Sequence, residues 1–272
     1  MFDSVMLNSS GEDIFTVLGS LKNSKNQLIK TTNWNCVGNS SLILFLKILG
    51  YDYDKISDIL LEFKLLSYTL NLNNLMIEDQ DRKLSFLKNW IETQIEKTKI
   101  FDETVELGEV YKLTKINPCF IVWLKEEKKI ININSIDNPD IRLLDIMLIS
   151  LTSIGMYTTY ILDKKIYSNL VSIDPYPYKY SFKDKNILYV FSKVEYKEQE
   201  DSLLEPGPFQ ELEREAISQH YNRNNIYLEY IKENIKENLL VIHCEINKKN
   251  LNQKEKKSLF NLGYKQIDFH KD

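Results

Sequence analysis

The chain opens by reading strand, turn, helix twice in succession. Phe2 to Leu7 is a short alternating apolar run, Asn8-Ser9-Ser10-Gly11 follows as a turn, and Phe15, Leu18 and Leu21 then recur at helical spacing. Asn33 to Val37 again has strand composition, Gly38-Asn39-Ser40-Ser41 is a tight turn, and Leu42 to Leu49 is an apolar helix ending at Gly50. A strand that is followed by a helix and then by another strand is usually carried back parallel to itself. Two such units in a row predict an α/β protein, with a central mostly parallel sheet flanked by helices.

The remaining patterns fit that sheet. Asp54 to Leu66 and Asp79 to Thr98 are spaced as amphipathic helices, the second gathering Leu84, Leu87, Trp90, Ile91 and Ile95 on one face. Pro118 to Leu124 and Lys129 to Ile133 read as a strand pair, Ile141 to Leu151 as a short apolar helix, and Ile187 to Val194 as a strand. Glu205 to Lys236 is mostly helical, Leu239 to Ile246 is a buried strand, and Gln253 to Leu262 is a closing helix stopped by Gly263. Pro175-Tyr176-Pro177 and Pro206-Gly207-Pro208 mark loops, and no internal repeat is visible. The 272 residues are therefore expected to form a single domain, 1–272.

Charge and cysteine usage exclude several function classes. The net charge is −4 and the lysines alternate with acids, as in Lys254 to Lys257, so the basic face needed for nucleic-acid binding is not expected. Cys36, Cys119 and Cys244 are odd in number and lack C-x-x-C spacing, which predicts no disulfide framework, only small buried hydrophobes in a reducing compartment. His220, His243 and His270 are scattered, and neither a metal site nor a cofactor is predicted. No charged segment followed by an apolar stretch opens the chain, so secretion is not expected. The longest apolar run, Leu42 to Leu49, is broken by Lys47 and falls far short of the roughly 20 residues that span a bilayer, so no transmembrane segment is predicted. The expected location is the cytoplasm, an intracellular assembly or a virion. Ala216 is the only alanine, while Ile, Asn, Lys and Tyr abound, a usage that points to an AT-rich genome such as that of a large DNA virus or an AT-rich microbe.

One segment suggests chemistry. In Cys36-Val37-Gly38-Asn39-Ser40-Ser41-Leu42, Ser40 stands between a buried strand and an apolar helix in the pattern G-x-S-x-L. A nucleophile elbow uses such a turn to lift a serine hydroxyl above the sheet and to aim a helix N-terminus at developing negative charge. A Ser-Ser pair capping the helix accounts for the same residues.

The order and spacing of motifs along the chain resemble the patatin-like phospholipases. Leu7-Asn8-Ser9-Ser10-Gly11 with Leu18-Gly19-Ser20-Leu21 looks like that family's glycine-rich oxyanion loop and the helix after it. Gly50-Tyr51, Asp54-Lys55-Ile56, Tyr111 to Thr114, Asn138-Pro139-Asp140, Asp145, Ser150, Gly155, Tyr157 and Asp163 keep the register. That register leads to Lys165-Ile166-Tyr167-Ser168-Asn169-Leu170, which corresponds to the segment carrying the family's Asp-Gly, and on to Pro177. The tail from Glu255 to Tyr264 is similar to the family's last helix.

The resemblance implies a three-layer patatin-like fold in which Val5, Cys36 and Ile121 lie on neighbouring central strands. It implies ester hydrolysis by a Ser-Asp pair, with Ser40 as nucleophile, Gly38 in the elbow, and Ser9, Ser10 and Gly11 as the oxyanion loop. It also implies a phospholipid or fatty acyl ligand, or a protein partner or assembly. Asn169 stands at the base position, where a carboxamide has no usable proton affinity near neutral pH. Glu12 and Asp13 place carboxylates beside the oxyanion loop, and Leu42 replaces the glycine after the elbow. A silent homologue with a binding or structural role is therefore expected, with Ser40 and Asn169 close in space. An active esterase drawing on Asp174, Asp163 or Asp13 as base is the alternative, and a phosphate-binding serine turn is a third reading that lacks a P-loop signature.

Overall fold

A computed structural model describes residues 1–9, 11–63, 77–152, 160–171, 174, 176–180, 186–196, 208–235, 238–246 and 251–265. The opening grammar is realised as β1 (Ser4–Ser9), α1 (Ile14–Asn23), β2 (Asn33–Gly38) and α2 (Ser40–Ile48). There follow α3 (Tyr53–Glu62), α4 (Ile77–Thr98), α5 (Leu107–Thr114), β3 (Asn117–Leu124), β4 (Lys129–Asn134) and α6 (Leu143–Leu151). The chain continues through β5 (Tyr160–Leu162), β6 (Lys165–Asn169), β7 (Ile187–Tyr196), α7 (Pro208–Asn234), β8 (Leu239–Ile246) and α8 (Gln253–Lys265).

The described strands form one sheet ordered β5-β6-β3-β2-β1-β7-β8, with β4 also paired to β3. β3, β2, β1, β7 and β8 run parallel, while β4, β5 and β6 add antiparallel pairs at one side. Val5, Cys36 and Ile121 thus lie on neighbouring central strands, as expected. Strand side chains alternate between faces, so Val5 and Leu7 of β1 join a core built with α1 to α6 and α8, while Met6 joins the core under α7. Cys119 and Ile121 likewise face α7, whereas Phe120, Val122 and Leu124 face the other layer. Helix, sheet, helix is therefore a three-layer α/β arrangement. All three cysteines are free and buried, and burial pushes the Cys36 thiol up to about 12.

The closing helix departs from the sequence reading. Gly263 does not stop α8, which runs on to Lys265, because this glycine is a packing residue. A β-carbon on Gly263 would lie 2.0 Å from the Thr16 carbonyl oxygen, and one on Gly19 would lie 2.0 Å from that of Phe260. The two glycines let the backbones of α1 and α8 touch. Beside this crossing Lys256 Nζ lies 3.1 Å from Glu12 Oε1, both side chains almost fully buried, and 5.8 Å from the Phe15 ring centroid. Burial, opposed by Lys256, raises the Glu12 carboxyl above its ordinary range, so desolvation outweighs the pairing. Glu12→Gln should cost about 3 kcal/mol in denaturant unfolding because it strands a buried ammonium, and adding Lys256→Met should recover most of that loss.

Candidate functional site

The parallel strands end on a common side of the sheet, and in open α/β sheets that carboxyl edge is where binding loops gather. Ser9 closes β1, Gly38 closes β2, and the two are register partners. β4 takes one edge of β3, pairing from Cys119 to Leu124. β2 pairs the opposite edge only as far as Cys36 with Phe120, and β6 continues along that edge from Val122 to Leu124. Asn169, opposite Val122, is thereby delivered to the end of β2.

At that end the left-handed residue is Gly38, with φ +63°, a conformation that side chains disfavour. Asn39 already has helical angles, φ −65° and ψ −20°, and Ser40 is the first residue of α2. The sharp strand-to-helix turn therefore pivots on Gly38, two residues before Ser40. A β-carbon on Gly38 would lie 2.4 Å from Val171 Cγ2, 2.7 Å from the Ser9 carbonyl oxygen and 3.6 Å from Asn169 Nδ2. Asn169 thus addresses Gly38, and the space a side chain would need there is taken by Val171 and the main chain of Ser9.

Ser40 is fully buried. Its one hydroxyl hydrogen is shared between the carbonyls of Val37 (2.7 Å) and Leu7 (3.0 Å), and its oxygen accepts from the Val37 amide (3.1 Å). These bonds tie the start of α2 to β1 and β2, and none of them goes to Asn169. Asn169 is also engaged: its backbone N–H donates to Thr152 O at 3.0 Å and its side-chain Oδ1 accepts from the Val171 backbone N–H at 2.8 Å. Leu42 is buried in the apolar core, within α2 and past the turn.

The first loop is organised by Asp13, whose side chain is almost wholly buried. Its Oδ1 accepts from the Gly11 amide at 2.7 Å and from Ser9 Oγ at 3.0 Å, and its Oδ2 accepts from Ser192 Oγ of β7. The Ser9 carbonyl accepts from the Asn39 amide at 2.9 Å, linking this loop to the turn after β2. Ser10 lies outside the described residues, as do Gly155 and Tyr157.

The other two candidate bases sit elsewhere. Asp174 accepts from the Tyr176 amide at 3.1 Å, and burial raises its carboxyl above the usual range. Asp163 is exposed in the turn between β5 and β6, at the far end of β6 from Asn169.

Sequence reasoning missed Ser192, Val171 and Tyr176, whose hydroxyl donates to Ser192 O at 3.0 Å. A signal for Ser192 existed. Along β7, Leu188, Val190 and Val194 share one core face, and period-two alternation puts Ser192 on that same face, where a hydroxyl calls for a partner. Among the described residues no group of His, Cys, Asp and Glu is placed to hold a metal ion, and no helix is long and apolar enough to cross a membrane.

Sheet order, layers and the loops at the carboxyl edge define a three-layer α/β protein of the patatin-like fold. The chain is similar to VipD from Legionella pneumophila, with a TM-score of 0.58 at 12% identity over 97% of this chain and 66% of that one. It is also similar to the type III effector protein ExoU, with a TM-score of 0.52 at 10% identity over 96% of this chain and 51% of that one. A structure of full-length ExoU in complex with full-length SpcU, from the type III secretion system of Pseudomonas aeruginosa, gives a TM-score of 0.54 at 11% identity, again over 96% and 51%. The chain spans 66% of the length of VipD and 51% of that of ExoU. No family model matches the chain, and no curated protein matches it in sequence.

Proposed function

We propose that this chain is a single patatin-like domain that has lost ester hydrolysis and is kept as a binding or scaffold module for a phospholipid, a fatty acyl group or a protein partner. The observation that carries this reading is Gly38. In a nucleophile elbow the reactive residue occupies the strained position between strand and helix. Here that position is a glycine with no room for a side chain, and the group facing it is the Asn169 carboxamide. Nucleophile and base are both missing from the one place where they would meet. Losing members of a coupled catalytic unit costs on the order of 10⁴-fold or more in rate.

The alternative, an active hydrolase built on Ser40, draws little support, because that hydroxyl is buried and committed to main-chain partners. The acids proposed as its base hydrogen-bond to other groups or stand apart. That the same fold occurs with a protein partner in the ExoU–SpcU complex keeps a protein ligand beside a lipid one.

Purified protein should hydrolyse phospholipids and activated esters no faster than its Ser40→Ala variant, and fluorophosphonate probes should leave it unlabelled. Robust turnover that disappears in Ser40→Ala would overturn the proposal.

A further inference from the structure

The first loop holds a carboxylate where the resemblance leads one to expect an oxyanion. We infer that the Gly11 amide and the Ser9 and Ser192 hydroxyls form a carboxylate-binding cradle, and that Asp13 is its resident ligand. The inference rests on the reading of the site as non-catalytic, and it says what the loop does instead.

Three donors from two distant parts of the chain converge on one side chain. The Gly11 N–H reaches Asp13 Oδ1 at 2.7 Å, Ser9 Oγ reaches the same oxygen at 3.0 Å, and Ser192 Oγ reaches Oδ2. An ionised carboxylate accepts only, and hydrogen bonds to it are stronger than those between neutral groups. Ser9 and Ser192 are buried like Asp13 itself, so removing the carboxylate would take this acceptor from the Gly11 amide and the Ser192 hydroxyl and leave the Ser9 hydroxyl only the long contact to the Gly11 carbonyl at 3.4 Å, a loss that buried donors in native structures avoid. The cradle also spans the fold. Asp13 precedes α1, Ser9 closes β1, Gly11 lies in the loop after it, and Ser192 lies on β7, so one carboxylate ties the loop to two neighbouring parallel strands.

An outside carboxylate of matching size should replace the inside one. Asp13→Ala removes a group the size of formate, and Asp13→Gly removes one the size of acetate. Both variants should melt several degrees below the parent in chloride. Formate should raise the melting temperature of Asp13→Ala saturably, acetate should do so better for Asp13→Gly, and neither should move the parent beyond what chloride does at equal ionic strength. If Asp13→Ala does not fold in chloride, its refolding yield in formate against chloride asks the same question. Adding Ser192→Ala to Asp13→Ala should weaken the formate response. A formate effect no greater than that of chloride, or one equal in the parent, would sink the inference. Because the readouts are stability and refolding, they are independent of whether any ester is hydrolysed.

Discussion

Gly263→Ala and Gly19→Ala should each destabilise the protein by about 3 kcal/mol or more, lowering the melting temperature by on the order of 10 °C. At an exposed helix position the same substitution would stabilise by about 1 kcal/mol, because alanine is the better helix former. The sign reverses here on geometry. The new β-carbon would lie 2.0 Å from a carbonyl oxygen of the opposing helix, and a backbone oxygen has no rotamer by which to retreat. Relief requires α8 to move off α1, and that movement also pulls Lys256 from Glu12 and the Tyr264 carbonyl from Asn23 Nδ2, now 2.5 Å away. Thermal unfolding of the two single variants and the double variant measures this. Separate helix movements would give additive losses, whereas one shared displacement makes the second substitution cost much less than the first. A melting temperature at or above that of the parent in either single variant would show that the backbones are not in contact.

The glycines show what the sequence carried and what it hid. Gly19 and Gly263 stand out in a chain with 8 glycines, and their positions matched the family pattern, but a glycine near a helix end looks alike whether it caps the helix or packs against a backbone. The parallel strands were legible because period-two and helical spacing alternate cleanly from Phe2 to Gly50. The hairpin of β5 and β6 was not, for a local reason. Its two-residue turn places Asp163 and Lys164 at φ +48° and +64°, the left-handed pair that Asn-Gly or Asp-Gly normally announces. With lysine in place of glycine the signal is absent, although that hairpin is what carries Asn169 to the site.

Local spacing also left the elbow open between a nucleophile turn and a helix cap. G-x-S-x-L fixes the eye on the serine, but α2 begins at Ser40, so the residue at the end of the strand is Gly38. Ser40 is the first residue of α2, and its hydroxyl turns back to Val37 and Leu7. The pair Gly38 and Asn169 became visible only when β6 was placed on the same edge of β3 as β2.

Rebuilding that pair tests the proposal that Gly38 stands where a nucleophile would. Gly38→Ser alone should be inactive and destabilised by about 1 to 3 kcal/mol, because the left-handed φ penalises a side chain and Val171 Cγ2 stands 2.4 Å from its β-carbon. Asn169→Asp alone should also be inactive, since it restores a base with no hydroxyl to serve. Combining Gly38→Ser, Asn169→Asp and Val171→Ala removes the obstructing methyl and places a carboxylate beside the hydroxyl. A β-carbon at position 38 and the present Nδ2 of Asn169 are 3.6 Å apart, close enough for a hydroxyl on that carbon to reach the acid. This triple variant should gain slow fluorophosphonate labelling at position 38 and none at Ser40. Turnover should stay weak, because the Gly11 amide remains bound to Asp13 and so cannot stabilise an oxyanion. Labelling of Ser40 in Asn169→Asp alone, abolished by Ser40→Ala, would instead return the nucleophile to Ser40 and make Asn169 the single lesion.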